Sequence, residues 1–321
     1  MKALVRHRYG SPDTVKIEEV DTPTPGEDQV LVRVAAASMN PLDWHALTGT
    51  PWLMRLADGL RRPKSPLLGR DAAGTVVAVG AKVAGLAVGD EVFGGVNGSF
   101  AEFALGSERG LVRRTSSVSV EAAAATPIAG LTALQALRDK GGLQAGQSVL
   151  INGAAGGVGT FAVQLAVAMG ATVTGVCSTA NVELVRSLGA HEVIDYTQQE
   201  IGDRQFDVIL DNIGNHSLRA RRRMMTPTGR CVIVGGPKKG KLLGPITPMV
   251  RAVIGSWFRS RKFVPFMAAT KAADLEVLAG HLADGSVVPV VSRTYGLADA
   301  AEALRSIEAG HTRGKLVLTI G

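Results

Sequence analysis

Gly157 and Gly159 follow the short apolar run "SVLIN" (Ser148 to Asn152) and open a longer apolar stretch ending near Met169, with Ala162 three residues beyond the second glycine. Four of the seven residues from Gly153 to Gly159 are glycine. Such a spacing between a strand and a helix suits a pyrophosphate. The first glycine permits a tight turn, the second a close backbone approach, and a small third residue lets helix and strand pack closely. The helix start then offers free N–H groups and the positive end of its dipole. Gly156, Gly157, Val158 and Gly159 are therefore expected to bind a dinucleotide.

The next strand, Thr172 to Cys177, is followed by Ser178 and Thr179, where a site for NAD(H) usually carries Asp or Glu. No carboxylate stands there to repel a 2′-phosphate, and hydroxyls can donate to one. NADP(H) is expected to be preferred over NAD(H).

These residues need a scaffold, and the chain reads as two domains. Its 321 residues are 46% hydrophobic and 20% charged, ordinary for a globular enzyme. Up to about residue 120 it is strand-rich and broken by Gly and Pro, with "QVLVRVAAASM", "AAGTVVAVG" and "GDEVFG" as strands, which suggests a partly barrel-like β-domain. From "SVEAAAATPIAGLTALQAL" onward, helices alternate with strands at 148–152, 172–177, 193–194, 206–211 and 230–235. That alternation predicts a parallel doubly wound sheet. The closing strand "GKLVLTI" suggests that the chain returns to the first domain. The expected layout is α/β, with a β-domain over 1–120, a dinucleotide domain over 121–261 and the return over 262–321.

Charge and cysteines narrow the functions. The net charge is +7, yet residues 219–262 hold twelve Lys or Arg and no acid. No aromatic interleaving or nucleic-acid motif accompanies them, so a DNA or RNA reader is not expected. No window has the length of a transmembrane span, and the N-terminus lacks a signal-peptide core. Cys177 and Cys231 read as buried structural thiols, and the default location is cytoplasmic.

Together with "SMNPLDWHALTG", "PLLGRDAAGTVVAVG", "GSFAEFAL", "LVRSLGAHEVIDY", "FDVILDNIG" and "RGKLVLTI", these residues resemble the medium-chain dehydrogenase/reductase superfamily, in its zinc-independent quinone oxidoreductase branch. The resemblance covers nearly the whole chain. It implies a GroES-like β-domain, a Rossmann domain, an active site in the cleft between them, and homodimers formed through a sheet-edge strand such as "RCVIVGG". Zinc-dependent members carry a Cys ligand and a Gly-His-Glu motif where this chain has "ASMN" and Gly69-Arg70-Asp71. Arginine does not ligate zinc, so no metal is expected. Without a Lewis acid, hydride transfer to an electron-poor conjugated acceptor, a quinone or enone, fits better than alcohol oxidation.

The resemblance also assigns residues. It puts Tyr196 near the 2′-phosphate, but has Ala180 where relatives binding NADPH carry Lys. It puts Asn40 and Asp43 near nicotinamide and substrate, with His45 where many relatives have Tyr or Lys; a histidine there could protonate an enolate or quinol oxygen. Thr132, Asn212, Ile213, Gly214 and Gly235 would face the nicotinamide side, and Lys315 the cofactor. The leading expectation is an NADPH:quinone oxidoreductase. An enone or enoyl reductase of the same fold is the alternative. A third reading is a non-catalytic NADP-binding protein docked to a partner or anionic membrane by its basic segment, where Trp257 and Phe258 lie among basic residues.

Overall fold

The computed structural model describes residues 1–235, 262–310 and 312–321. The basic run and the amphipathic stretch 245–267 therefore lie largely outside the described residues. The chain divides into two units, residues 1–131 with 270–285 and 289–321, and residues 132–269 with 286–288.

The first unit begins with strands β1 (Lys2–Val5), β2 (Lys16–Glu19) and β3 (Gln29–Met39), followed by helix α1 (Pro41–Thr48) and the short α2 (Arg55–Asp58). Strands β4 (Asp71–Val79), β5 (Glu91–Asn97) and β6 (Phe103–Arg113) come next, then helices α3 (Val120–Ala125) and α4 (Pro127–Gln135). Strands β3 to β6 pair antiparallel in sequence order, and β6 pairs back onto β3, with Gln29 opposite Ser107. The sheet thus closes on itself as a small GroES-like barrel. Its interior takes Val30, Val32, Val76, Val92 and Phe100, all of them buried. The β-branched residues among them suit a pleated, half-buried surface.

The second unit is a Rossmann-type sheet. Strands β7 (Ser148–Asn152), β8 (Thr172–Cys177), β9 (Glu192–Asp195), β10 (Phe206–Asp211), β11 (Met225–Ile233) and β12 (Lys262–Pro265) are all parallel, in the order β12-β11-β10-β7-β8-β9. Helix α5 (Gly157–Ala168) follows β7, and every side chain from Gly159 to Ala166 is buried. A helix buried on every side over this stretch belongs inside a layered fold. Strand order reverses beside β7, so ligand chemistry belongs at the carboxyl ends of β7, β8 and β10.

Strands β13 (Val291–Gly296) and β14 (Lys315–Thr319) complete the first unit, with β14 antiparallel to β3 and Leu316 opposite Met39. Three expectations need adjustment. The first unit extends to Leu131, beyond the expected boundary at 120, because α3 packs on β3 and β4. The return begins at Thr270 rather than 262, because β12 pairs with β11. For the same reason "RCVIVGG" is no sheet edge: β11 lies between β10 and β12. Among the described residues no helix is long and apolar enough to cross a membrane.

Candidate functional site

In the second unit the site grows from the end of β7. Gly153 turns the chain with φ +82°, and Gly156 caps α5 with no side-chain acceptor. The first helical bond runs from Thr160 N to Gly156 O at 2.9 Å. The opening amides of the helix therefore have no intrahelical acceptor. A Cβ on Gly159 would lie 2.1 Å from Gly153 O, so this glycine serves the fit of helix against loop. Among the described residues a Cβ on Gly156 would meet only Gly153 O at 3.5 Å, leaving space beside the cap. An anion fits that combination of open space and donors.

Asp211 at the end of β10 organises the adjoining loop. It accepts from Asn152 Nδ2 at 2.9 Å, Gly214 N at 2.8 Å and Ile213 N at 3.2 Å, and it pairs with Arg221 Nε at 2.7 Å. Both members of that ion pair are buried. Asn152 also donates to Asn215 Oδ1 at 2.8 Å. Within this frame the side-chain oxygen and nitrogen of Asn212 are both buried and unpartnered among the described residues. A donor and an acceptor left without partners fit an amide such as nicotinamide's. A Cβ on Gly235 would lie 1.9 Å from Asn212 O, so only glycine fits where the ends of β10 and β11 meet. Thr132 is buried in the same unit, and Ile213 is exposed.

The ribose end differs from expectation. Strand β8 ends without a carboxylate, but β9 puts Asp195 beside Cys177. Asp195 accepts from Thr179 Oγ1 at 2.6 Å, from Thr197 Oγ1 at 2.8 Å and from Thr197 N at 2.9 Å. The Thr179 bond leads in holding its carboxyl below the usual carboxylate range. Thr179 thus spends its only proton on Asp195 and is no free donor for a phosphate. Ser178 accepts from Asn181 Nδ2 at 3.1 Å and keeps its own proton to give. Tyr196 is exposed.

The first unit gathers a different group. Asn40 caps α1, and its N–H donates to Asp43 Oδ2 at 2.8 Å. Its side-chain nitrogen donates to Asp71 Oδ2 at 2.9 Å, and its side-chain oxygen accepts from Lys315 Nζ. Lys315 also donates to Met39 O at 3.0 Å, and Asp71 accepts from Ile128 N at 3.2 Å. All four side chains are at most 3% exposed. Burial pushes Asp43 up to about 7 and Asp71 up to about 6, and holds Lys315 below its ordinary value. Lys315 spends its ammonium on Asn40 and Met39 within this cluster, and Asp43 is enclosed. His45 Nδ1 donates to Thr50 O at 2.6 Å, which commits one ring nitrogen to the loop after α1.

The sequence reading did not single out Asp195, Asp211, Arg221, Asn152 or Asp71 as site residues. A polar residue ending an otherwise apolar strand, as in "SVLIN" and "VILD", was the available signal. Arg70, in the Gly69-Arg70-Asp71 run, offers no lone pair to a metal, and next to it Asp71 is partnered by the Asn40 amide, which takes the Lys315 ammonium. This residue set does not fit a zinc site. Among the described residues no group of three or more His, Cys, Asp or Glu could hold a metal.

A closed GroES-like barrel and a Rossmann sheet with a glycine-capped first helix together define a dinucleotide-binding dehydrogenase or reductase. Comparisons with known proteins narrow that class. The alcohol dehydrogenase GroES-like domain pattern matches residues 26–116, and the zinc-binding dehydrogenase pattern matches residues 188–318. The chloroplast envelope quinone oxidoreductase homolog of Arabidopsis thaliana is 31% identical over 99% of this chain and 98% of its own. The 2-methylene-furan-3-one reductase of Solanum lycopersicum is 33% identical over 99% of this chain and 79% of its own. The solved quinone oxidoreductase of Coxiella burnetii superposes with a TM-score of 0.88 at 29% identity, covering 100% of this chain and 99% of its own. The chain belongs to the zinc-independent quinone oxidoreductase family of medium-chain dehydrogenases/reductases.

Proposed function

We propose that the chain reduces a quinone with hydride from NADPH. The observation that carries this is the second unit's pairing of open donors at Gly156 to Gly159 with the Asn212 amide, which is unpartnered among the described residues. Those residues would hold the pyrophosphate and the nicotinamide carboxamide. The bound nicotinamide supplies hydride, and the protein's part is alignment, exclusion of water and a route for one proton. His45 delivers that proton only as the imidazolium, because its Nδ1 proton is held by Thr50. Water is the other source.

Ser178 and the exposed Tyr196 favour NADP(H) over NAD(H). Asp195 opposes that preference and Ala180 adds no charge, so the discrimination is modest. The buried free thiols Cys177 and Cys231 support a reducing compartment such as the cytoplasm. The edge strand β12, rather than β11, would pair the protein as a homodimer, which a measured solution mass tests.

Loss of nicotinamide absorbance with NADPH and NADH, each against a quinone and a simple enone, tests the reading. Turnover of the quinone with NADPH is expected. The tomato relative's name gives the enone reading its support, and turnover of the enone alone would replace the first reading with it.

A further inference from the structure

The segment after α1 reverses the usual arrangement of a surface helix. A 3₁₀ turn, Trp52–Met54, leads directly into α2. Its polar side chains face the protein. Asp58 takes Arg6 Nη2 at 2.6 Å and Tyr9 Oη at 3.3 Å, and Tyr9 also donates to Gly59 O at 2.6 Å. Arg55 Nε donates to Gly49 O at 2.9 Å, and its guanidinium lies over the Tyr9 ring at 4.4 Å. The large apolar side chains remain outside: Trp52 is 55% exposed, Leu53 44%, Leu56 64% and Leu60 67%. Trp52 and Leu56, four residues apart, share one helical face.

Ordinary surface helices bury that face. Here polar contacts hold it outward, so the exposure is built into the structure. Directly after it come Arg61, Arg62 and Lys64, all exposed, and no Asp or Glu occurs from Gly59 to Arg70. An apolar face headed by tryptophan and flanked by cations complements an anionic lipid surface: leucines enter the acyl boundary, the indole sits at headgroup level and the cations meet phosphates. A second copy of the chain suits it less, because a two-fold contact there would bring these cations near their own copies.

We propose that residues 52–64 form a docking surface for anionic membranes, holding the protein reversibly on the bilayer. The proposal does not depend on which acceptor is reduced, and it uses none of the residues assigned to cofactor or proton transfer.

The test is co-sedimentation of the full chain with phosphatidylcholine vesicles, with and without phosphatidylglycerol. Binding to the anionic vesicles, reversed by salt, is expected. The pairs Leu56→Ser with Leu60→Ser, and Arg61→Gln with Arg62→Gln, should each lower the partition roughly tenfold or more. Far-ultraviolet dichroism and NADPH titration should stay unchanged in both. No vesicle binding by the unaltered chain would overturn the proposal. So would equal binding by the variants, which would move the contact to another basic stretch such as 236–261. A leucine-pair effect confined to solution mass, or to KM for the acceptor without vesicles, would overturn it in favour of self-association or an acceptor surface.

Discussion

Lys315, on the last strand, donates its ammonium to the side-chain oxygen of Asn40, which caps the first helix. Through Asn40 that charge connects with Asp71 on β4, and through the cap with Asp43 on α1. The cluster ties β3, β4, β14 and α1 together inside the first unit.

Removing the ammonium leaves Asn40 and two enclosed carboxyls without their cation. Lys315→Met should therefore destabilise the protein by about 3–5 kcal/mol, read from denaturant unfolding. Adding Asp71→Asn should recover part of that loss, because it removes a carboxylate the lysine no longer offsets. A double variant no more stable than Lys315→Met would count against the coupling.

The same cluster sets a pH dependence. The carboxyl of Asp43 is raised from 3.8 to about 7 on folding, so between those values the folded state holds a proton that the unfolded chain releases. Its contribution is therefore most favourable at acid pH and is lost as pH rises from about 4 to about 7. Asp71, raised to about 6, acts in the same direction. Asp43→Asn should unfold with a flatter stability profile between pH 5 and pH 7 than the unaltered protein, the gap growing by up to about 1.4 kcal/mol per pH unit. Parallel profiles would mean that Asp43 does not hold the proton.

Among the described residues, the Asn212 amide has neither its donor nor its acceptor satisfied. Asn212→Ala should stabilise the ligand-free protein by about 1 kcal/mol, since an unmet buried polar group is removed. It should also weaken binding of the reduced dinucleotide. Stability and affinity moving in opposite directions, read by unfolding and titration, would mark a group held for a ligand. A loss of both would assign Asn212 to the scaffold.

Ala180 is exposed just beyond β8, beside Ser178 and Thr179. Ala180→Lys should raise the ratio of kcat/KM for NADPH over NADH roughly tenfold, the scale of one charge-assisted contact of about 1.4 kcal/mol. An unchanged ratio would place the 2′-phosphate elsewhere.

The phosphate loop was legible because its signal is local: Gly153 to Gly159 must lie between a strand and a helix, and both flanks declare themselves by pattern. Strands β3, β7, β8 and β10 are readable as alternating or β-branched apolar stretches. Asp195 was not, because its importance depends on β9 pairing with β8, which sets it beside Cys177. Arg221 looked like one more charge in a basic run, and only the fold buries it against Asp211. Nothing near Lys315 in sequence reveals that β14 lies against β3, which is what brings its ammonium to Asn40. Local chemistry could be read along the chain, while contacts between distant residues awaited the fold.

The most direct test of the dinucleotide assignment is calorimetric titration of NADPH into the protein and into Gly157→Glu. The substitution adds bulk and negative charge at the first residue of α5, where the pyrophosphate is assigned. Saturable binding by the unaltered chain, and none detectable by a folded Gly157→Glu, is the predicted result. Equal affinity in the two would contradict the account.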